Sequence, residues 1–105
     1  MTRGEVWLVA LDPTIGSEIQ KTRPCAIISP DELNRSMRTM LIVPMTTGAR
    51  SAPFRIPVTF RGVAGLLLPD QMRAVDTKRA IRRLGSLDET TLASLLAVLA
   101  QLFSP

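Results

Sequence analysis

A chain of 105 residues is long enough for one hydrophobic core and too short for two. Thirteen Lys and Arg against nine Asp and Glu give a formal charge of +4, which favours a polyanionic partner. With no histidine and a single cysteine, Cys25, the chain has no internal disulfide, no zinc cluster and no histidine-activated nucleophile.

Eleven of the thirteen basic residues are arginine, whose planar fork grips phosphate in a bidentate way that lysine cannot; biased codon usage would produce the same excess. No run reaches the roughly 18 apolar residues of a membrane span, and Met1-Thr2-Arg3-Gly4-Glu5 lacks the apolar core of a signal peptide. One soluble, cytoplasmic domain over residues 1–105 is expected, with prolines and glycines falling singly as turn markers.

Val6 to Leu11 reads as a first strand, apolar on both alternating faces, so both faces need cover: a barrel core on one side and a subunit contact on the other. Asp12-Pro13-Thr14 ends it and opens a loop reaching Thr22, long enough in so small a domain to suspect a functional role. Arg23 to Ser29 forms a second strand. Ser29-Pro30-Asp31-Glu32 predicts a short helix to about Arg35, with Ser29 as N-cap and Pro30 at the first helical position.

Met40 to Val43 and Phe54 to Val58 are further strands. The latter alternates Phe54, Ile56 and Val58 against Arg55 and Pro57, which places it at a sheet edge. Gly65 to Leu68, Met72 to Val75 and Ile81 to Leu84 complete a set of short strands at close spacing, the pattern of a small barrel. Ser86-Leu87-Asp88-Glu89 then predicts a capping box. The helix that follows carries Leu92, Leu95, Leu96, Leu99, Leu102 and Phe103 at helical spacing.

Polar clusters interrupt this pattern at Gly16-Ser17-Glu18, Arg23-Pro24 and Thr46-Thr47-Gly48. A carboxylate, a guanidinium and a hydroxyl on strand-flanking loops can build a phosphate-handling site without histidine, cysteine or metal. The same residues read equally as an exposed Glu18–Arg23 ion pair and ordinary turn threonines. Trp7 suits the core or a dimer contact, and Cys25 a buried position. Asp70 is either a turn starter or a ligand contact. Lys78-Arg79 with Arg82-Arg83 is either a solvated face or a surface for a charged partner.

Taken in order, Arg3-Gly4-Glu5-Val6-Trp7-Leu8-Val9, Leu11-Asp12-Pro13-Thr14, Gly16-Ser17-Glu18, Arg23-Pro24, Ile28-Ser29-Pro30, Val43-Pro44 with Thr46-Thr47, and Asp70-Gln71 resemble the MazF/PemK family of bacterial toxins over nearly the whole chain. The resemblance implies a mainly β fold with α (α+β): a small SH3-like β barrel of the MazF/CcdB type with a C-terminal helix, assembled as a homodimer. It also implies a metal-independent, cofactor-free endoribonuclease that cuts single-stranded RNA and is neutralised by a MazE-like antitoxin.

On this resemblance the catalytic residues are Glu18 as base, Arg23 as electrostatic clamp first and candidate proton donor second, and Thr46 as donor to phosphate. The RNA-binding set is Ser17, Gln20, Lys21, Thr47, Arg50, Asp70 and Gln71. Leu68 departs from the pattern, because PemK-like members carry an arginine there. Two alternatives share the resemblance: a CcdB-like gyrase poison, which the chain's Leu102-Phe103-Ser104-Pro105 ending does not match, and a non-catalytic RNA-binding relative.

Overall fold

The structure, a computed structural model, describes all of residues 1–105. Its elements in chain order are β1 (Glu5–Ala10), β2 (Thr22–Ile27), α1 (Asp31–Ser36), β3 (Thr39–Thr46), β4 (Ile56–Phe60), β5 (Val63–Leu67), β6 (Arg73–Asp76), β7 (Ala80–Ser86) and α2 (Glu89–Leu102). Single 3₁₀ turns at Pro69–Gln71 and Thr77–Arg79 flank β6. The strands form one antiparallel sheet in the order β4-β5-β3-β2-β1-β7, and β6 pairs with the first half of β3. Curled around its core and closed by α2, this is the expected small α+β barrel.

β3 organises the sheet. Thr39 to Ile42 pair with β6, whereas Met45 and Thr46 pair with β5. Pro44, which has no N–H to give to a ladder, sits at the changeover, and its carbonyl accepts the Leu68 N–H at 2.9 Å. The partner strand is thereby handed from β6 to β5 at Leu68, and Thr46 is left at the open end of the sheet.

The two apolar faces of β1, β2 and β3 are both buried, and the alternation is clean. Val6, Ala26, Ile28, Val43 and Met45 pack with Leu67, Leu87, Leu95 and Leu99, beneath α2. Val9, Leu11, Cys25, Ile27, Met40 and Ile42 pack with Val75, joined by Trp7, Ile19 and Ala80. The second face of β1 is therefore covered by the chain's own β6 and loop, without calling on a subunit contact.

Both helix starts differ from their predicted caps. α1 has Pro30 at its N-cap, with no side-chain cap. Ser29 is instead fully buried, its hydroxyl accepting the Leu41 N–H at 3.1 Å while Asn34 Nδ2 donates to its carbonyl at 3.0 Å. The hydroxyl accepts from β3 and donates to the Asn34 Oδ1 of α1, and it caps no N–H of the helix's first turn. α2 begins after Asp88, whose Oδ1 accepts the Thr91 N–H at 2.6 Å; Ser86 stays in β7. Leu87 and Leu92 bracket this cap in the same core, the arrangement of a hydrophobic staple.

Phe103, which the spacing places on the apolar stripe, lies at the C-cap and is 70 % exposed. β4 is an edge strand, as Pro57 requires. It joins β5 through the two-residue turn Arg61-Gly62, both at positive φ (52° and 79°), the type I′ geometry that matches strand twist.

Candidate active site

Three separate elements deliver the expected polar residues to one groove of about 350 Å³ at the open end of the sheet. The β1–β2 loop brings Ser17, Glu18 and Gln20, β2 brings Arg23, and β3 brings Thr46. Leu68, Arg55 and Gln71 line it as well. Arg23 and Thr46 also border an adjoining apolar pocket of about 260 Å³, which includes Thr47, Val58, Phe60 and Gly65. Thr46 thus borders both chambers, whereas Thr47 borders the apolar pocket and not the groove.

Arg23 is half-buried at the start of β2, and its Nε donates to the Gln20 carbonyl at 3.1 Å. That bond orients the guanidinium while its two Nη groups remain for an incoming anion. Thr46 Oγ1 accepts the Gly48 N–H at 3.3 Å, so the hydroxyl proton stays free to be donated. Glu18 is exposed and makes no ion pair with Arg23; its Oε1 accepts the Ile15 N–H at 2.5 Å, which leaves Oε2 as the oxygen able to take a proton.

The loop that carries Glu18 is tied at several points. Leu11 N–H bonds the Lys21 carbonyl at 3.0 Å, and Asp12 Oδ1 accepts the Lys21 N–H at 3.1 Å. Arg73 and Arg79 each direct an Nη1 donor at 3.1 Å to the Leu11 and Ala10 carbonyls. On its far side, the Ile19 N–H donates to Gln71 Oε1 at 2.7 Å. A long loop built this way is a framed segment of the site.

Of the other expected residues, Gln71 borders the groove but directs its side-chain oxygen at the loop backbone. Asp70 lines the neighbouring cleft with Ser17 and Glu18. Lys21, in the left-handed region at φ 70°, and exposed Arg50 border neither the groove nor the apolar pocket.

The residue that sequence reasoning missed is Arg55. It forms a bidentate pair with Asp70, Nε to Oδ1 at 3.2 Å and Nη2 to Oδ2 at 2.9 Å, and its Nη1 donates to the Arg50 carbonyl at 3.1 Å. Those hydrogen bonds hold the Asp70 carboxyl below, and the Arg55 guanidinium above, their ordinary ranges. Arg55 read as the wet face of an edge strand; it stands just before β4, and only the fold shows what lies across from it. The basic cluster divides likewise: Arg79 holds loop carbonyls, and Arg83 Nε pairs with Glu5 Oε2 at 2.7 Å.

Cys25 is fully buried, and burial pushes its thiol up to about 12, which removes it as a nucleophile at neutral pH. Nowhere does the chain gather three Cys, Asp or Glu side chains in a cluster that could hold a metal ion.

Residues 2–103 match the family of PemK-like, MazF-like toxins of type II toxin-antitoxin systems. The endoribonuclease PemK of Escherichia coli is 40 % identical over 110 residues, covering 99 % of this chain and 83 % of the relative. The endoribonuclease MazF9 of Mycobacterium tuberculosis is 32 % identical, covering 90 % and 89 %. MazF from Deinococcus radiodurans superimposes with a TM-score of 0.87 at 27 % identity, covering 97 % of this chain and 94 % of that one.

A curled antiparallel sheet closed by a C-terminal helix is the fold of a small toxin of the MazF type. The chain belongs to the PemK/MazF family of type II toxin-antitoxin toxins.

Proposed function

We propose that this protein is an endoribonuclease toxin that cuts single-stranded RNA through the RNA's own 2′-hydroxyl, without metal or cofactor. The observation that carries the reading is the convergence of Glu18, Arg23 and Thr46 from three elements onto one open groove. Its relatives' naming as endoribonucleases supports the substrate class.

Glu18 Oε2 takes the proton from the 2′-hydroxyl, whose oxygen attacks the adjacent phosphorus as the bond to the 5′-oxygen breaks. The products are a 2′,3′-cyclic phosphate and a free 5′-hydroxyl. A positioned base of this kind contributes about 10²- to 10⁴-fold. Arg23 and Thr46 donate to the phosphate oxygens as charge accumulates, a stabilisation that is often the larger effect. A guanidinium does not release its proton near neutrality, so Arg23 acts as a clamp, and solvent at the open groove protonates the leaving oxygen.

MazF of Deinococcus radiodurans has also been solved together with MazE, in a form that superimposes on this chain with a TM-score of 0.74 at 27 % identity. By extension, a cognate antitoxin inhibits this protein. A net charge of +4 suits an acidic antitoxin segment competing with RNA for the same face, and the active unit is a homodimer.

The test is to incubate the protein with a long single-stranded RNA in EDTA, beside Arg23→Ala and Thr46→Ala. Discrete cuts ending in 5′-hydroxyls, lost in both variants, are expected. Absence of cutting by folded wild type overturns the reading, and 5′-phosphate ends overturn the mechanism.

A further inference from the structure

Leu68 lines the same groove as Arg23 but offers it no polar group, and the second guanidinium lining that groove belongs to Arg55. Three of its five N–H groups are committed, two to Asp70 and one to the Arg50 carbonyl. The other two remain, on a side chain only 18 % exposed and locked at both ends of its planar fork. A guanidinium so oriented loses little rotamer freedom when an anion arrives, and it is stationed for bidentate or bridging contact with phosphate.

Building on the ribonuclease reading, we infer that Arg55 is a second phosphate clamp of this site, and that Asp70 is a positioning residue which acts through Arg55 and not by touching RNA. The geometry favours this division. Both carboxylate oxygens of Asp70 are already engaged by Arg55, and a carboxylate beside an RNA backbone repels it unless paired. Of the two, Arg55 is the one that borders the groove, and Asp70 borders the neighbouring cleft.

The experiment has two arms. Binding of a single-stranded DNA oligonucleotide, which lacks the attacking hydroxyl, is measured across salt concentrations; cleavage of a long RNA gives kcat and KM. Arg55→Ala is expected to reduce the slope of log K against log salt by about 0.7 and to lower kcat/KM by about 10²-fold. Arg55→Lys restores the slope but not the rate, because the charge returns without the fork. Asp70→Asn lowers kcat without raising KM, and does so in the wild-type background but not in Arg55→Ala. Arg35→Ala, on the exposed side of α1 away from the groove, leaves the rate unchanged.

An unchanged slope and rate in folded Arg55→Ala overturns the clamp. Equal losses from Asp70→Asn in both backgrounds overturn the positioning role. If wild type cuts no RNA, the ribonuclease reading fails, while the DNA slope still judges Arg55 as a phosphate contact.

Discussion

Gln71 Oε1 accepts the backbone N–H of Ile19 at 2.7 Å, across a sequence separation of 52 residues. The bond joins the 3₁₀ turn after β5 to the middle of the β1–β2 loop, next to Glu18. It makes the Asp70-Gln71 pair a hub: one residue holds Arg55 and the other holds the loop.

Gln71→Ala should therefore damage activity more than stability. Loss of one partly buried hydrogen bond costs about 1 kcal/mol, whereas an untied loop leaves Glu18 out of register with the phosphate. Urea melts with parallel cleavage rates check this. A rate loss no larger than the stability loss can explain would show that the loop is held by its other ties alone.

Gly65 adjoins Leu66, the partner of Thr46 in the β3–β5 pairing, and a Cβ on Gly65 would lie 2.8 Å from the Thr46 carbonyl oxygen. Because the obstacle is backbone, it cannot swing aside as a side chain would. Gly65→Ala should push the strands apart by a few tenths of an ångström at Thr46, destabilise the fold by about 1 to 3 kcal/mol and, on the proposed mechanism, reduce cleavage. Activity retained at the wild-type level in the folded variant would refute this coupling.

Glu5 gives a pH dependence with its own reporter. Burial works to raise its carboxyl, but hydrogen bonds from the Thr2 N–H, Trp7 Nε1 and Arg83 outweigh it and hold it below the ordinary range. A depressed folded pKa contributes stability that is present above the unfolded value, near 4.5, and lost as pH falls through the folded one. Acid titration should move the fluorescence of the only tryptophan, Trp7, at a pH below that value. Glu5→Gln should abolish the step and flatten the stability curve there; a step that survives the substitution assigns it to another carboxyl.

Cys25 should resist alkylation in the native protein at neutral pH and react only on unfolding, since burial pushes the thiol to about 12. Mass spectrometry after iodoacetamide treatment, with and without urea, measures this. Rapid native labelling would mean that β2 opens locally.

The sequence alone determined the features that depend on near neighbours. Two-faced apolar runs announced buried strands, Pro57 marked an edge, and leucine spacing marked α2, because periodicity and proline geometry are local properties of the chain. The resemblance in order of Gly16-Ser17-Glu18, Arg23-Pro24 and Thr46-Thr47 brought the groove's polar residues into view before any contact was known. Tertiary structure decided which competing partner each polar group took. Ser29 is expected to cap a helix, and its buried hydroxyl accepts from Leu41 of β3 instead; Ser86 is expected to open a capping box, but it stays in β7 and Asp88 caps α2. Arg55 reads as a wet edge position and Asp70 and Gln71 as RNA contacts, whereas the fold pairs Arg55 with Asp70 and ties Gln71 to the β1–β2 loop. Hydrogen bonds between residues far apart in sequence leave no periodic trace, so only the folded chain reveals them.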